Sequence, residues 1–441
     1  MRPGSIRRAA VVVVTALLVL VAATSHAQSP PSADGPAVAP GLEALLRKAG
    51  WIQIGLAKSV STASANVSGT ARCSGPSGRV YDGQGGAFRA TAGQGGVTLS
   101  LPDGRRVSGE WFVIEQTGSA QAQVFEYSGT PYRGRLQLVR GGGGMRVINQ
   151  IRIDDYLKGV LPAEIGPSPM EALKAQAVSA RSETIFKLAT GRHAADGFDL
   201  CTQVHCQAYK GMRLETADSN RAVDETVGYV LMNGEGRILD AVYHNVCGGV
   251  TAGAEDVWDS KPIPGLSPVF DSQRRTGTPR LGDEAAFRRF LGETGADHFC
   301  DSSNPGYPKY ALKYYRWTKT LSADELRKAA GVGRVRDIRV VERRESGRVR
   351  KIRISGDSGE KVIEKELPIR NALGLWSGLF YLDVRMGGGY VESASFVGAG
   401  NGHGVGLCQQ GARIMAARGI GFDRILQHYY PGASLARVYR P

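Results

Sequence analysis

Between His193 and Cys206 two imidazoles and two thiols fall within 14 residues: His193, Cys201, His205 and Cys206. Two neutral imidazoles and two thiolates make a complete tetrahedral donor set for zinc. Four protein donors fill the coordination shell, so such an ion is structural and leaves no position for an activated water. The spacing is not that of a zinc finger, and a Cys201–Cys206 disulfide would use the same thiols. Spacing alone leaves both readings open. Upstream, Glu164 lies between Leu161-Pro162 and Ile165-Gly166. Apolar neighbours raise a carboxyl pKa, and a carboxyl still protonated near neutrality can give its proton to a leaving oxygen. The plainer reading of Glu164 is an exposed loop carboxylate, or a cap for the helix that follows.

A third constellation is Gly402-His403-Gly404-Val405-Gly406. It lacks the Lys-Ser/Thr ending of a phosphate loop and the acidic residue of a dinucleotide site. Its glycines suit backbone that approaches a ligand or another segment closely, with His403 presented on a tight turn. Cys408 follows near a helix start, and His403 or His428 could serve it as a base; that would make a cysteine nucleophile. Cys73, Cys247, Cys300 and Cys408 remain outside the His193–Cys206 cluster. Four cysteines allow two disulfides in any of three pairings, and Cys247–Cys300 is the pair expected.

The elements that must position these groups can be read from periodicity. Short alternating runs from Trp51 to Ile153, such as Val97–Leu101, Gln123–Tyr127 and Arg135–Val139, are separated by Gly-rich turns and predict strands. Ser168-Pro169-Met170-Glu171 has the form of a capping box with Pro at the first helical position. The helix is expected to run to about Ala189, with Gly191 beyond it. Met170, Leu173, Ala177, Thr184 and Leu188 then share one face. Arg181 sits in the middle of that face and needs a carboxylate or another acceptor: either a structural ion pair or a group aimed at the site. Strands are predicted at Tyr229–Met232 and from Ile238 to Asn245. Leu321–Ala330 reads as a helix and Arg336–Ile354 as a hairpin turning at Glu345–Gly347. A helix to Arg418 and a short one ending near His428–Tyr430 close the chain.

At the N-terminus Arg2, Arg7 and Arg8 precede an apolar run, Ala9–Ala23, and then Ser25-His26-Ala27. This is the pattern of a cleaved secretory signal, and the run is short of the roughly 20 apolar residues a bilayer span needs. The mature protein is therefore expected to be exported, periplasmic or extracellular, with no transmembrane segment after cleavage. Residues 28–40, rich in Ser, Pro and Ala, read as linker. The net charge of +14, three charges of which lie in the leader, favours anionic partners. Outside the membrane these are wall polymers or anionic lipids. No basic stripe interleaved with aromatics points to nucleic acid, and the Lys/Arg-dense stretch Arg334–Arg353 reads as the solvated face of a strand pair.

Several long motifs, in order, resemble the stage II sporulation protein D family, some of whose members are called amidase enhancers. They are Tyr156–Glu164 (YLKGVLPAE), Glu171–Arg181 (EALKAQAVSAR), Ala241-Val-Tyr243, Cys247-Gly-Gly249, Ala254–Trp258, Gly402–Leu407 and His428-Tyr-Tyr430. The resemblance covers roughly Met145 to the C-terminus. It implies a peptidoglycan lytic transglycosylase that cleaves the β-1,4 bond between N-acetylmuramic acid and N-acetylglucosamine in peptide-stripped glycan, leaving a 1,6-anhydro end. It implies Glu164 as the catalytic acid, Arg181, Tyr243, His403 and Gln409 at the substrate, and a structural zinc on His193, Cys201, His205 and Cys206. The expected partners are glycan strands and a wall amidase. The alternative is a wall-binding protein without catalysis that enhances an N-acetylmuramoyl-L-alanine amidase. The expected fold is α+β: a mixed β-rich domain with a long central helix and a smaller inserted subdomain. The expected divisions are a signal at 1–27, linker at 28–47, a β-rich region at 48–144, a catalytic core at 145–260, an inserted α/β subdomain at 261–385 and the rest of the core at 386–441.

Overall fold

The computed structural model describes residues 50–118, 123–258, 260–293 and 297–440; the expected signal and linker lie outside the described residues. No described helix is long and apolar enough to cross a membrane. The fold is α+β.

Its first part is one sheet. The strands are β1 (Trp51–Val60), β2 (Thr62–Gly75), β3 (Gly78–Gly93), β4 (Gly96–Ser100), β5 (Arg106–Gly109), β6 (Trp111–Thr117), β7 (Val124–Tyr127), β8 (Thr130–Arg133), β9 (Arg135–Gly141), β10 (Gly144–Arg152) and β11 (Leu200–Cys201). The order is β11-β1-β10-β9-β6-β2-β3-β4-β5, with β7 joining β2 to β8. Every pairing is antiparallel except β1 with β11, where Ile54 meets Leu200 and Gly55 meets Cys201. Period-2 alternation sends Val97, Leu99, Leu136 and Leu138 into one apolar core with Phe88, Phe112 and Ile114. The end of β10 leaves this core for a second one, where Ile148 and Ile151 pack with Tyr156, Leu157, Val160 and Leu161.

Those last four residues belong to the first helix, Ile153–Glu164, which starts directly from β10. Glu164 is its final residue, not part of a loop. The helix stops there because Gly166 takes φ +65° and Pro167 follows.

The long helix, Met170–Thr190, ends at Gly191 with φ +61°. It is not amphipathic as expected. Side chains from Ala172 to Lys187 are buried nearly all round, because helices Ile153–Glu164, Ala217–Glu225, Gln409–Ala417 and Phe422–Tyr429 pack on it from several sides. Its many Ala and Ser residues allow that close approach. The expected capping box does not form. Pro169 occupies the N-cap, the Ser168 hydroxyl donates to the Gly166 carbonyl at 3.1 Å, and Glu171 instead accepts the Phe422 N–H at 2.9 Å.

A second unit lies between the two parts of this core. Strands Arg316–Ser322, Tyr390–Ala399 and Phe380–Gly387 form one sheet, and Val335–Arg343, Val349–Gly356 and Gly359–Glu364 another. Helices Ala323–Ala330, capped by Ser322 and Glu325, and Glu366–Leu373 cover a core of Trp317, Leu326, Ile352, Phe380 and Phe396. After Ala399 the chain re-enters the first core. Leu407–Cys408 then pairs in parallel with Tyr243–His244, Tyr243 opposite Leu407 and His244 opposite Cys408.

Candidate functional site

A pocket of about 300 Å³ opens where these returns meet, lined by Glu164, Glu183, Tyr243, His403 and Gln409 with Asn245, Asn401 and Cys206. The Glu164 carboxylate accepts the Ala208 N–H at 2.6 Å, and the Tyr243 side chain hydrogen-bonds to it as well. Its backbone is gripped from one helix. Gln409 Nε2 donates to the Glu164 carbonyl at 3.2 Å, and Arg413 donates to the carbonyls of Ile165 and of Pro167, the latter at 2.5 Å. Burial pushes the Glu164 carboxyl up to about 7; the Ala208 N–H opposes this and the nearby Glu183 charge adds to it. The acid therefore keeps its proton to a higher pH than an exposed glutamate does.

Glu183 is a pocket residue that periodicity did not single out. Its two oxygens are committed, Oε1 to Lys187 Nζ at 2.6 Å and Oε2 to Gln207 Nε2 at 2.9 Å. Lys187 in turn donates to the Cys206 carbonyl at 2.5 Å. Glu183 thus acts on the site as a fixed negative charge. Buried Asp240 is pushed up to about 7 by burial and then by the Glu183 charge.

Arg181 is not at the pocket. It is fully buried, with Nε and Nη2 on Asp154 Oδ1 at 2.9 and 2.7 Å and further bonds to the carbonyls of Tyr229 and Val223. The reason is helical geometry: positions 181 and 183 lie about 200° apart around the axis, so the turn that aims Glu183 at the pocket aims Arg181 away from it. Its role is structural. Arg181→Ala strands a carboxylate and two carbonyls, and is expected to cost about 3 kcal/mol of stability. Substrate KM is expected to stay unchanged below the melting range; denaturant unfolding and steady-state kinetics check the two halves.

His403 lines the pocket, but both ring nitrogens are used. Nδ1 accepts the Val405 N–H at 3.1 Å, so Nε2 carries the proton and donates to the Tyr243 carbonyl at 2.9 Å. Burial, with His244 beside it, holds its pKa well below the usual range. It can present a ring edge or face to a ligand without changing charge. The loop around it is sterically exacting: Gly404 has φ +81°, and a Cβ there would lie 1.8 Å from Arg348 Nη2. Gln409, also expected at the substrate, spends its amide N–H on the Glu164 carbonyl and so positions the acid. Cys408 is fully buried, which removes it as a nucleophile for a polymeric substrate.

The Cys/His cluster closes around a point. The ligand atoms of His193, Cys201, His205 and Cys206 all lie within 4.8 Å of one another. His193 Nε2 is 3.2 Å from Cys206 Sγ and from His205 Nε2, Cys201 Sγ is 3.2 Å from His205 Nε2, and the two sulfurs are 3.6 Å apart, unbonded. Tetrahedral zinc with bonds of about 2.0–2.3 Å sets its ligands about 3.3–3.8 Å apart, so the residues fit that ion. The outer contacts fit too. His193 Nδ1 is held by Asp196 at 2.7 Å, and the sulfurs accept N–H groups of Cys201 and Gln203. The residues that follow Cys206 each anchor elsewhere. Gln207 bonds to the long helix through Thr184, Ala180 and Glu183, Ala208 to Glu164, and the Tyr209 hydroxyl to Asn149 on β10 at 2.8 Å. The cluster therefore anchors the segment that holds the acid.

The SpoIID model, described as a stage II sporulation protein, matches residues 141–233, and a domain of unknown function matches 252–406. An uncharacterized protein of Brachyspira hyodysenteriae is 27% identical over 322 residues, 72% of this chain and 75% of its own. The amidase enhancer of Bacillus subtilis is 27% identical over 309 residues, 63% of this chain but 40% of the relative. Stage II sporulation protein D of Bacillus amyloliquefaciens is 26% identical over 309 residues, 66% of this chain and 76% of the relative. The matched segment 141–233 carries Glu164, the long helix and all four Cys/His residues, and over it the chain is similar to the SpoIID family.

Proposed function

We propose that this protein acts on the bacterial cell wall as a peptidoglycan lytic transglycosylase. The observation that carries the reading is a single carboxyl not paired with a cation, Glu164, pushed up to about 7 in a pocket whose other carboxylate is tied to a lysine. A hydrolase of the ordinary kind needs a second free carboxylate as base or nucleophile. Cleavage at muramic acid does not, because the C6 hydroxyl of the same sugar can attack its own anomeric carbon. The nucleophile is tethered, so proximity replaces the second group. Glu164 gives its proton to the glycosidic oxygen as the C1–O bond breaks. The resulting carboxylate takes the C6 hydroxyl proton as the new C1–O6 bond closes, which restores the acid. Ala208, Gln409 and Arg413 keep the carboxyl in place, and Glu183 holds its pKa up.

We further propose that His193, Cys201, His205 and Cys206 hold a structural zinc, and that the chain is exported to the compartment where its substrate lies. Mass spectrometry of peptide-stripped peptidoglycan treated with purified protein is expected to show 1,6-anhydromuramic ends. Reducing ends in their place would point to a hydrolase and overturn the reading. The name of the Bacillus subtilis relative favours a second reading, a wall-binding enhancer of an amidase. That reading predicts no sugar products from the protein alone and faster release of stem peptides when an amidase is added.

A further inference from the structure

A second cluster lies behind the pocket. Cys247, Asp271, Cys300 and Cys408 are all fully buried, and their ligand atoms lie within 4.8 Å of one another. Cys247 and Cys300 Sγ are 3.3 Å apart, close to the spacing in the His193–Cys206 cluster. Cys408 Sγ accepts two backbone N–H groups, from Cys247 at 3.2 Å and from Gly411 at 3.5 Å, the latter in the first turn of helix Gln409–Ala417. Donors aimed at a buried sulfur suit a thiolate. Asp271 is held in place by the Cys300 N–H at 2.8 Å and the Tyr429 hydroxyl at 2.5 Å. No lysine or arginine pairs with it among the described residues. A buried set of sulfurs and a carboxylate with no cation is costly unless the groups stay protonated or a cation sits among them. His244, the register partner of Cys408 and 4% exposed, donates from Nδ1 to the Val405 carbonyl at 3.1 Å and hydrogen-bonds through its side chain to Cys408.

We propose that Cys247, Cys300 and Cys408, with Asp271 as the oxygen donor, form a second site for a thiophilic divalent cation, zinc. Three sulfurs and a carboxylate converge here, whereas a disulfide would use only two of the sulfurs. The positions explain what the ion does. Asp271 and Cys300 lie inside the segment 252–406 that matches the domain of unknown function, while Cys247 and Cys408 lie just outside its two ends. One ion on these four residues staples that unit to the core at its root. Cys408 also adjoins Gln409, which holds the Glu164 carbonyl, so the staple fixes the helix that positions the acid. Zinc binding displaces the thiol protons into solvent.

The test is metal analysis of the purified full chain, expected to give two zinc ions per molecule. The C201S/C206S variant is expected to keep one, and C247S/C408S is expected to lose one. The outcomes separate this site from the first: one zinc lost only with Cys247 and Cys408 supports it and removes the other. One zinc lost only with Cys201 and Cys206, or a Cys247–Cys300 linked peptide in a map of non-reduced protein, overturns it. The stoichiometry and the peptide map are read on the unmodified protein, so neither depends on a variant folding. Cobalt(II) added to C201S/C206S stripped of metal is expected to give thiolate-to-metal absorption in the near ultraviolet, and none would count against the site.

Discussion

Glu164→Gln is expected to lower the release of anhydro products by about 10²-fold or more, the usual contribution of a general acid, while the chain stays folded. The amide keeps the shape of the side chain and can still accept the Ala208 N–H, so the backbone grip of Gln409 and Arg413 is untouched. What is lost is the proton. The pH dependence gives an independent check. Wild-type activity should fall as pH rises through about 7, where the acid loses its proton, and the residual activity of the variant should not follow that curve. Stability should move the opposite way to a salt-bridged carboxylate. A carboxyl raised from 4.5 to about 7 binds more protons folded than unfolded between those values, so stability declines as pH rises across that window and stays lower above it. Glu164→Gln removes the buried charge and is expected to be more stable than wild type at pH 8, by an amount on the order of 1–3 kcal/mol, with little difference at pH 4. Melting curves at the two pH values measure it. A variant that lost activity and stability together at pH 8 would mark Glu164 as a structural group.

The residues that sequence made legible are those whose chemistry is local. Four metal-type ligands within 14 residues can hardly avoid one another, and the structure brings them together. Glu164 stood out through the motif Tyr156–Glu164 and the family it resembles, since its apolar neighbours alone left an exposed carboxylate or a helix cap as the plainer reading. Arg181 was misplaced because a charged residue in an apolar stripe shows only that it needs an acceptor. Asp154, the one it found, is 27 residues away, on a helix whose packing angle no periodicity reveals. Glu183 was missed for the converse reason: the apolar stripe drew attention to one face of a helix that is buried on all of them. In such a helix the informative signal is a polar residue of any kind, and Glu183 and Lys187, one turn apart, were readable as a buried pair. The grip of Gln409 and Arg413 on the Glu164 loop spans about 245 residues of sequence, and only the return of the chain after Ala399 brings it about. The same holds for Cys247, Cys300 and Cys408. Their number allowed three pairings, and convergence of all three beside an aspartate was not among the patterns that counting offers.

Removing metal from the His193–Cys206 cluster, by chelation or by Cys206→Ser, is expected to lower both stability and activity, the second by about 10²-fold or more. The argument runs through Ala208. Its N–H is the closest hydrogen bond to the acid, at 2.6 Å, and it lies two residues after Cys206. The segment from Gly191 to Tyr209 has one 3-10 turn and two residues of strand, so little regular hydrogen bonding holds it. Its order comes from the ligands themselves, from Lys187 on the Cys206 carbonyl, and from the anchors at Gln207 and Tyr209. Free energy of binding at a structural zinc is folding free energy, so losing the ion should release this segment. The melting temperature is expected to fall by roughly 10 °C or more, since each kcal/mol is worth a few degrees in a chain of this size. Once Ala208 moves, the carboxyl loses its nearest donor and the pocket loses Cys206 as a wall, so the acid is neither aimed nor enclosed. Zinc restored to chelated protein should recover both properties. Cys206→Ser should recover neither, because a hydroxyl is a poor substitute for a thiolate ligand. Activity that survived chelation at full strength, with the ion shown to be gone, would mean that the anchors at Gln207 and Tyr209 suffice to hold Ala208 against Glu164.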